Sequence, residues 1–125
     1  MFSKYILTAF ALVAVASAAP LAPATITACS GSIDPSDGCV TIPVICSNCT
    51  NLTGGLSFLN KEISTVQVPG GFICSFYEDF GCLGDQNSDD VVVLTGGTWS
   101  MSNVQGVQGP LNFNDLTSSF ICSPV

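Results

Sequence analysis

Apolar and polar residues alternate in short runs along most of this chain, with glycine or proline between one run and the next. The exception comes first. Tyr5 to Val15 is almost wholly apolar, follows Lys4, and leads into Ala16-Ser17-Ala18. A basic start, a short apolar run and a small-x-small ending describe a secretory signal peptide over residues 1–18. The run is too short for a membrane helix, which takes about 20 residues, and no later stretch is long enough to span a bilayer.

Beyond the leader the pattern is that of short strands. Residues 19–38, rich in Pro and Ala and then in turn formers, read as a flexible N-terminal leader. Cys39 to Cys46 reads as a strand in which Pro43, lacking an amide proton, demands an edge or a bend. Ile63 to Val68 is strand-like and ends at Pro69-Gly70-Gly71, a turn signal. Phe72 to Tyr77 is the clearest strand, with faces Phe72/Cys74/Phe76 and Ile73/Ser75/Tyr77. Val91 to Leu94 is a β-branched run that Gly96-Gly97 separates from Thr98 to Met101. A long loop is expected from Ser102 to Asp115, and a last strand from Ser119 to Cys122. No segment carries a 3.6-residue period long enough for a three-turn helix. The pattern predicts one all-β domain over residues 39–125, a sandwich or a barrel.

Charge narrows the function. With Lys4 lost in the leader, the net charge moves from −7 to −8, and Lys61 is the only cationic side chain left against nine acidic ones. Such a surface repels phosphate backbones and anionic lipid, which excludes nucleic acid and acidic membranes as partners. The chain has no His, so a Ser or Cys nucleophile has no imidazole base and no His-containing zinc site can form.

All seven cysteines follow the leader: Cys29, Cys39, Cys46, Cys49, Cys74, Cys82 and Cys122. In an exported domain of this size they read as structural disulfides. Connectivity is open from sequence, Cys46–Cys49 being a short-loop alternative to pairings with Cys29 or Cys39. The odd thiol is either inert, leaving a monomer, or a link to a second chain. Asn48-Cys49-Thr50 and Asn51-Leu52-Thr53 are glycosylation sequons in form, and a sugar on Asn48 or Asn51 would put that loop on the surface.

Two stretches repeat each other: Asn60-Lys61-Glu62-Ile63-Ser64-Thr65-Val66 and Asn114-Asp115-Leu116-Thr117-Ser118-Ser119-Phe120. Between them, Phe76-Tyr77-Glu78-Asp79-Phe80-Gly81-Cys82-Leu83-Gly84 resembles the folded-hairpin signature of the βγ-crystallin superfamily. Asn114-Asp115-Leu116-Thr117-Ser118-Ser119 is similar to that family's calcium motif. The resemblance runs from about Leu56 to Cys122 and is strongest from Val68 onward, where it looks like small secreted proteins of filamentous fungi. It implies a small disulfide-stabilised Greek-key β-sandwich, in which the first and last strands of a motif are neighbours and Cys74 pairs with Cys122. It also implies a calcium site built from the Asp115 carboxylate, the Ser118 hydroxyl, the Leu116 carbonyl and a backbone carbonyl near Glu78. Three departures stand out. Cys82 occupies a position the family usually gives to an aromatic residue, the first half lacks an aromatic-Glu-Asp hairpin, and Lys61 replaces an acidic residue in the first copy. A cation there opposes metal binding, so Ca2+ is not required and at most one weak site is expected. The competing reading has Asn114, Asp115 and Ser118 capping their own loop.

Other chemistry is thinly supported. Asp85-Gln86-Asn87-Ser88-Asp89 starts like an EF-hand loop, but Asp90 replaces its Gly and Gly96 its closing Glu, leaving a solvated acidic loop. Carboxylate pairs among Glu78, Asp79, Asp85 and Asp115 lack an evident cleft. Most of Trp99, Phe72, Phe76, Phe80, Phe113 and Phe120 are expected in the core, with Trp99 the most ambiguous and the candidate for glycan contact. The chain is therefore expected to be a secreted, non-enzymatic structural or interaction domain with an unknown extracellular protein or glycan partner. The alternative is an effector- or toxin-like protein that binds a surface protein or glycan of another organism, marked by an exposed apolar patch over residues 102–113.

Overall fold

The computed structural model describes residues 24–84, 89–106 and 109–125. The expected signal peptide and most of the EF-hand-like segment lie outside these. The strands are β1 (Thr25–Cys29), β2 (Cys39–Pro43), β3 (Thr50–Asn51), β4 (Thr65–Tyr77), β5 (Val91–Ser100), β6 (Val104–Gly106), β7 (Gly109–Leu111) and β8 (Ser119–Pro124). Short 3-10 helices at Gly54–Leu59 and Phe80–Cys82 are the only helices among the described residues.

The topology turns on β4. Its first half pairs with β1 on one side and with the end of β5 on the other, through Thr27↔Gln67 and Gln67↔Thr98. Its second half keeps β5 and exchanges β1 for β8, through Phe76↔Val92 and Phe76↔Phe120. β2 flanks β1 and β3 flanks β8, every pairing being antiparallel. This is the expected β-sandwich of crystallin type. Its core is continuous: Ile26, Ala28 and Ile42 of the first half are buried in one cluster with Phe76, Val92 and Phe120 of the second.

Three expectations are corrected. The leader assigned to residues 19–38 holds β1, whose Ile26, Ala28 and Cys29 are fully buried between β2 and β4. Pro69-Gly70-Gly71 is not a turn but a bulge inside β4, and Gly96-Gly97 does not break β5. The two glycine sites meet, because a Cβ on Gly96 would come within 3.0 Å of the Gly70 Cα and 3.1 Å of the Pro69 carbonyl. The paired strands thus bend together at a point where side chains are absent. The loop expected over 102–115 contains the β6–β7 hairpin. Pro43 does sit on an edge strand, β2.

Gly84 closes the hairpin after β4 at close range, since a Cβ there would lie 2.6 Å from Val91 Cγ2. Only glycine fits so close an approach.

Three disulfides staple the domain. Cys29–Cys39 and Cys74–Cys122 join residues directly opposite in register across β1–β2 and β4–β8. Cys49–Cys82 ties the chain before β3 to the second 3-10 helix. The Cys74–Cys122 pairing implied by the resemblance is present, Cys46–Cys49 does not form, and Cys46 is a free, exposed thiol. Two register positions from Cys74–Cys122, the Phe76 and Phe120 rings stack with centroids 5.6 Å apart.

The packing can be tested at two points. The Cys74–Cys122 bridge spans 48 residues, so in a chain-entropy picture it contributes roughly 4 kcal/mol. The double variant Cys74→Ser/Cys122→Ser should lose about that much in urea unfolding under non-reducing conditions. Thr117 is fully buried and its hydroxyl has no hydrogen-bond partner, whereas Ile63, its counterpart in the repeat, is apolar. Thr117→Val should therefore gain about 1 kcal/mol, read as a rise of several degrees in Tm.

Candidate cation site

The two repeated stretches form loops that clasp each other. Lys61 N–H donates to the Thr117 carbonyl at 2.9 Å, and Asp115 N–H donates to the Ile63 carbonyl at 3.2 Å. Lys61 and Asp115 share a left-handed backbone, with φ of 60° and 62°. Residue for residue, each loop does to the other what is done to it.

The hairpins extend this pseudo-twofold relation. Ser30 N–H donates to Gly38 O in the first hairpin and Glu78 N–H to Asp90 O in the second, both at 3.0 Å. Ser64 N–H reaches Cys29 O at 2.9 Å, as Ser118 N–H reaches Tyr77 O at 2.8 Å. The Thr65 hydroxyl donates to Gly31 O at 2.9 Å, and the Ser119 hydroxyl to Asp79 O at 2.6 Å. The first half thus contains the hairpin whose signature its sequence lacks. Ser30 corresponds to Glu78, Glu62 to Leu116, Ser64 to Ser118, and Lys61 to Asp115.

The chemistry at the two equivalent places differs in sign. The Lys61 ammonium donates to the carbonyls of Glu78 and Leu116, the latter at 2.9 Å. It thereby joins the loop before β4, the hairpin after β4 and the loop before β8. The structure does bring Glu78 and Leu116 together, but around Lys61 rather than around a carboxylate. Asp115 is the pseudo-symmetric mate of Lys61, and the positions that correspond to Glu78, Leu116 and Ser118 are Ser30, Glu62 and Ser64. Ser118 is almost wholly buried, and its backbone is engaged by Tyr77 O and by the Leu52 N–H at 2.9 Å. Of the four candidate ligands expected from the sequence, the structure thus joins the Glu78 and Leu116 carbonyls, on Lys61, and gives the Asp115 residue the equivalent position in the other loop. The aligned repeats in the sequence carry this exchange, but only the backbone pairing shows which carbonyl serves which side chain.

Among the described residues, no group of three or more His, Cys, Asp or Glu side chains gathers as a metal cluster. A hard cation such as calcium does not require one, because backbone carbonyls and hydroxyls supply much of its coordination.

The remaining candidates are scattered. Asn48 is exposed in a turn, while Asn51 lies in β3 with its amide oxygen accepting from Gly81 N–H at 2.6 Å. Phe76, Phe113 and Phe120 are buried, Phe72 and Trp99 pack partly on the core, and Phe80 is 46% exposed. The Trp99 indole donates to Thr95 O at 2.8 Å. In the 102–113 stretch Val104 and Phe113 are buried and Leu111 packs against the core, so its described apolar residues form no exposed patch. No helix among the described residues is long and apolar enough to cross a membrane.

No protein-family model matches the sequence, and no curated protein matches it significantly. Solved structures do. The N-terminal domain of protein S is 25% identical with a TM-score of 0.56, over 82% of this chain and 98% of that one. A mutant βγ-crystallin domain from Clostridium beijerinckii is 16% identical with a TM-score of 0.58, over 80% and 98%. The βγ-crystallin domain of Abundant Perithecial Protein from Neurospora crassa, solved in its calcium-bound form, is 14% identical with a TM-score of 0.51, over 86% and 96%. These likenesses agree with the paired hairpins, the clasped loops and the bent central strands: the chain has the βγ-crystallin fold.

Proposed function

We propose that this chain is a secreted, non-enzymatic structural or interaction domain that binds one calcium ion weakly, in the half-site of Asp115. The observation that carries the reading is the pseudo-twofold relation of Asp115 to Lys61. Where Lys61 places an ammonium against the carbonyls of Glu78 and Leu116, Asp115 brings a carboxylate to the corresponding frame. By the same pseudo-symmetry the donors would be the Asp115 carboxylate, the carbonyls of Ser30 and Glu62, and the Ser64 hydroxyl, all hard oxygens. One carboxylate on an exposed loop makes a weak site, since affinity rises with ligand charge and rigidity. Protein S has been solved in complex with calcium and the Neurospora domain in a calcium-bound form, and both share the fold. Three disulfides suit an oxidising, extracellular setting.

Bound metal would act on stability by mass action, adding about 2.7 kcal/mol at a hundredfold excess over Kd. Isothermal titration of calcium chloride into the chelator-stripped protein should give one equivalent, with Kd on the order of 10⁻⁴ to 10⁻³ M. Tm should rise over the same range, and Asp115→Ala should abolish both effects. Absence of heat and of any Tm change at millimolar calcium would refute the calcium reading while leaving the structural role intact. Export has its own test: N-terminal sequencing of the protein recovered from culture medium should begin at Ala19.

A further inference from the structure

We propose that Lys61 is a tethered cation. Its ammonium permanently fills one of the two equivalent cation positions, so that half of the domain is closed without metal. The proposal rests on the reading above only for the equivalence of the two half-sites.

The argument starts from what a cation would do at that place. Three segments distant in sequence converge there: the loop before β4 carrying Lys61, the hairpin at Glu78, and the loop at Leu116. Glu78 and Leu116 each turn a carbonyl oxygen toward the same point, and the ammonium meets both. Two carbonyl dipoles aimed together repel each other unless a positive charge or a donor lies between them. A metal ion would satisfy them at the entropic cost of capturing a free ion. A lysine on the clasped loop is already present at high effective concentration and adds no ligand requirement. The left-handed backbone at Lys61, the same as at Asp115, sends the long side chain to that point from a position fixed by the Lys61 N–H to Thr117 O bond.

Its being the only cationic side chain beyond the expected leader sharpens the inference. A lysine kept for solubility on this acidic surface would project into solvent, yet this one is anchored on two main-chain carbonyls. The arrangement also explains why opposite charges occupy equivalent positions in two copies of one motif. One half supplies its own cation, and the other presents a carboxylate.

The test compares full-length exported wild type with Lys61→Gln and Lys61→Asp, each melted in EDTA and in calcium chloride and each titrated with calcium. Lys61→Gln should lower Tm in EDTA by about 4 °C. Lys61→Asp should melt lower still in EDTA, because a carboxylate faces carbonyl oxygens. It should regain stability in calcium and bind one equivalent more than wild type. A merely structural lysine would produce the first loss but not the gained equivalent. If Lys61→Asp fails to fold even in calcium, Lys61→Asn, neutral and oxygen-bearing, replaces it with the same expected gain.

Wild-type Tm retained by Lys61→Gln in EDTA, or no added equivalent in the oxygen-bearing variant, overturns the proposal. The two readings fail separately. Wild type binding no calcium while Lys61→Asp binds one defeats the Asp115 site and upholds the tethered cation. One equivalent in both proteins does the reverse.

Discussion

The fold depends on one long strand having two sets of neighbours. β4 is bonded to β1, β5 and β8, and no other strand among the described residues joins both halves in this way. Most of these pairings are far apart in sequence, so the chain must close long loops before any contact stabilises it. Cys74–Cys122 offsets that cost for a pairing 48 residues apart, between the middle of β4 and the last strand, with the Phe76–Phe120 stack beside it. The bulge at 69–71 lets the strand bend from one set of partners to the other without ending. Val66 and Val68 before the bulge and Cys74 and Phe76 after it belong to one core.

Duplication then solves a second problem. Each hairpin leaves backbone groups at its open end, and neither can satisfy them alone. The loop from 60 to 64 and the loop from 114 to 118 do so reciprocally, each serine amide reaching back to the strand before a hairpin. A frame built by exchange has two equivalent places, at one of which the Glu78 and Leu116 carbonyls gather. That follows from main-chain geometry and does not depend on which side chain arrives. Side-chain identity then decides what occupies each place: an ammonium at Lys61 and a carboxylate at Asp115.

Much of this was legible in the sequence because it lies in local signals. Phe72 to Tyr77 alternates, Gly84 marks a close approach, and the repeated Asn-x-x-x-Ser stretches announce the clasped loops. What escaped is non-local. Thr25 to Cys29 carries Ala28 where a large apolar residue would have revealed the buried face, and it follows a Pro/Ala stretch that reads as leader. Pro69-Gly70-Gly71 has the composition of a turn, and only its meeting with Gly96 shows that two strands bend there together. The motif showed Lys61 as the wrong charge for a metal ligand. That its ammonium reaches Glu78 and Leu116 depends on contacts across 17 and 55 residues, which no spacing rule expresses.

Lys61 and Asp115 give the pseudo-symmetric frame an electrostatic asymmetry. In a chain with a net charge of −7, every additional carboxylate raises self-repulsion in the compact state. Two acidic residues at the equivalent positions would make both halves depend on captured cations, and loss of metal would loosen both together. A lysine at one of them removes a negative charge, adds a positive one and holds three segments by hydrogen bonds that dilution cannot remove. The other half keeps its carboxylate and with it any sensitivity to dissolved cations. If Asp115 holds calcium as proposed, the response to it is confined to one side of the pseudo-twofold axis, while Lys61 ties the opposite side by its own hydrogen bonds.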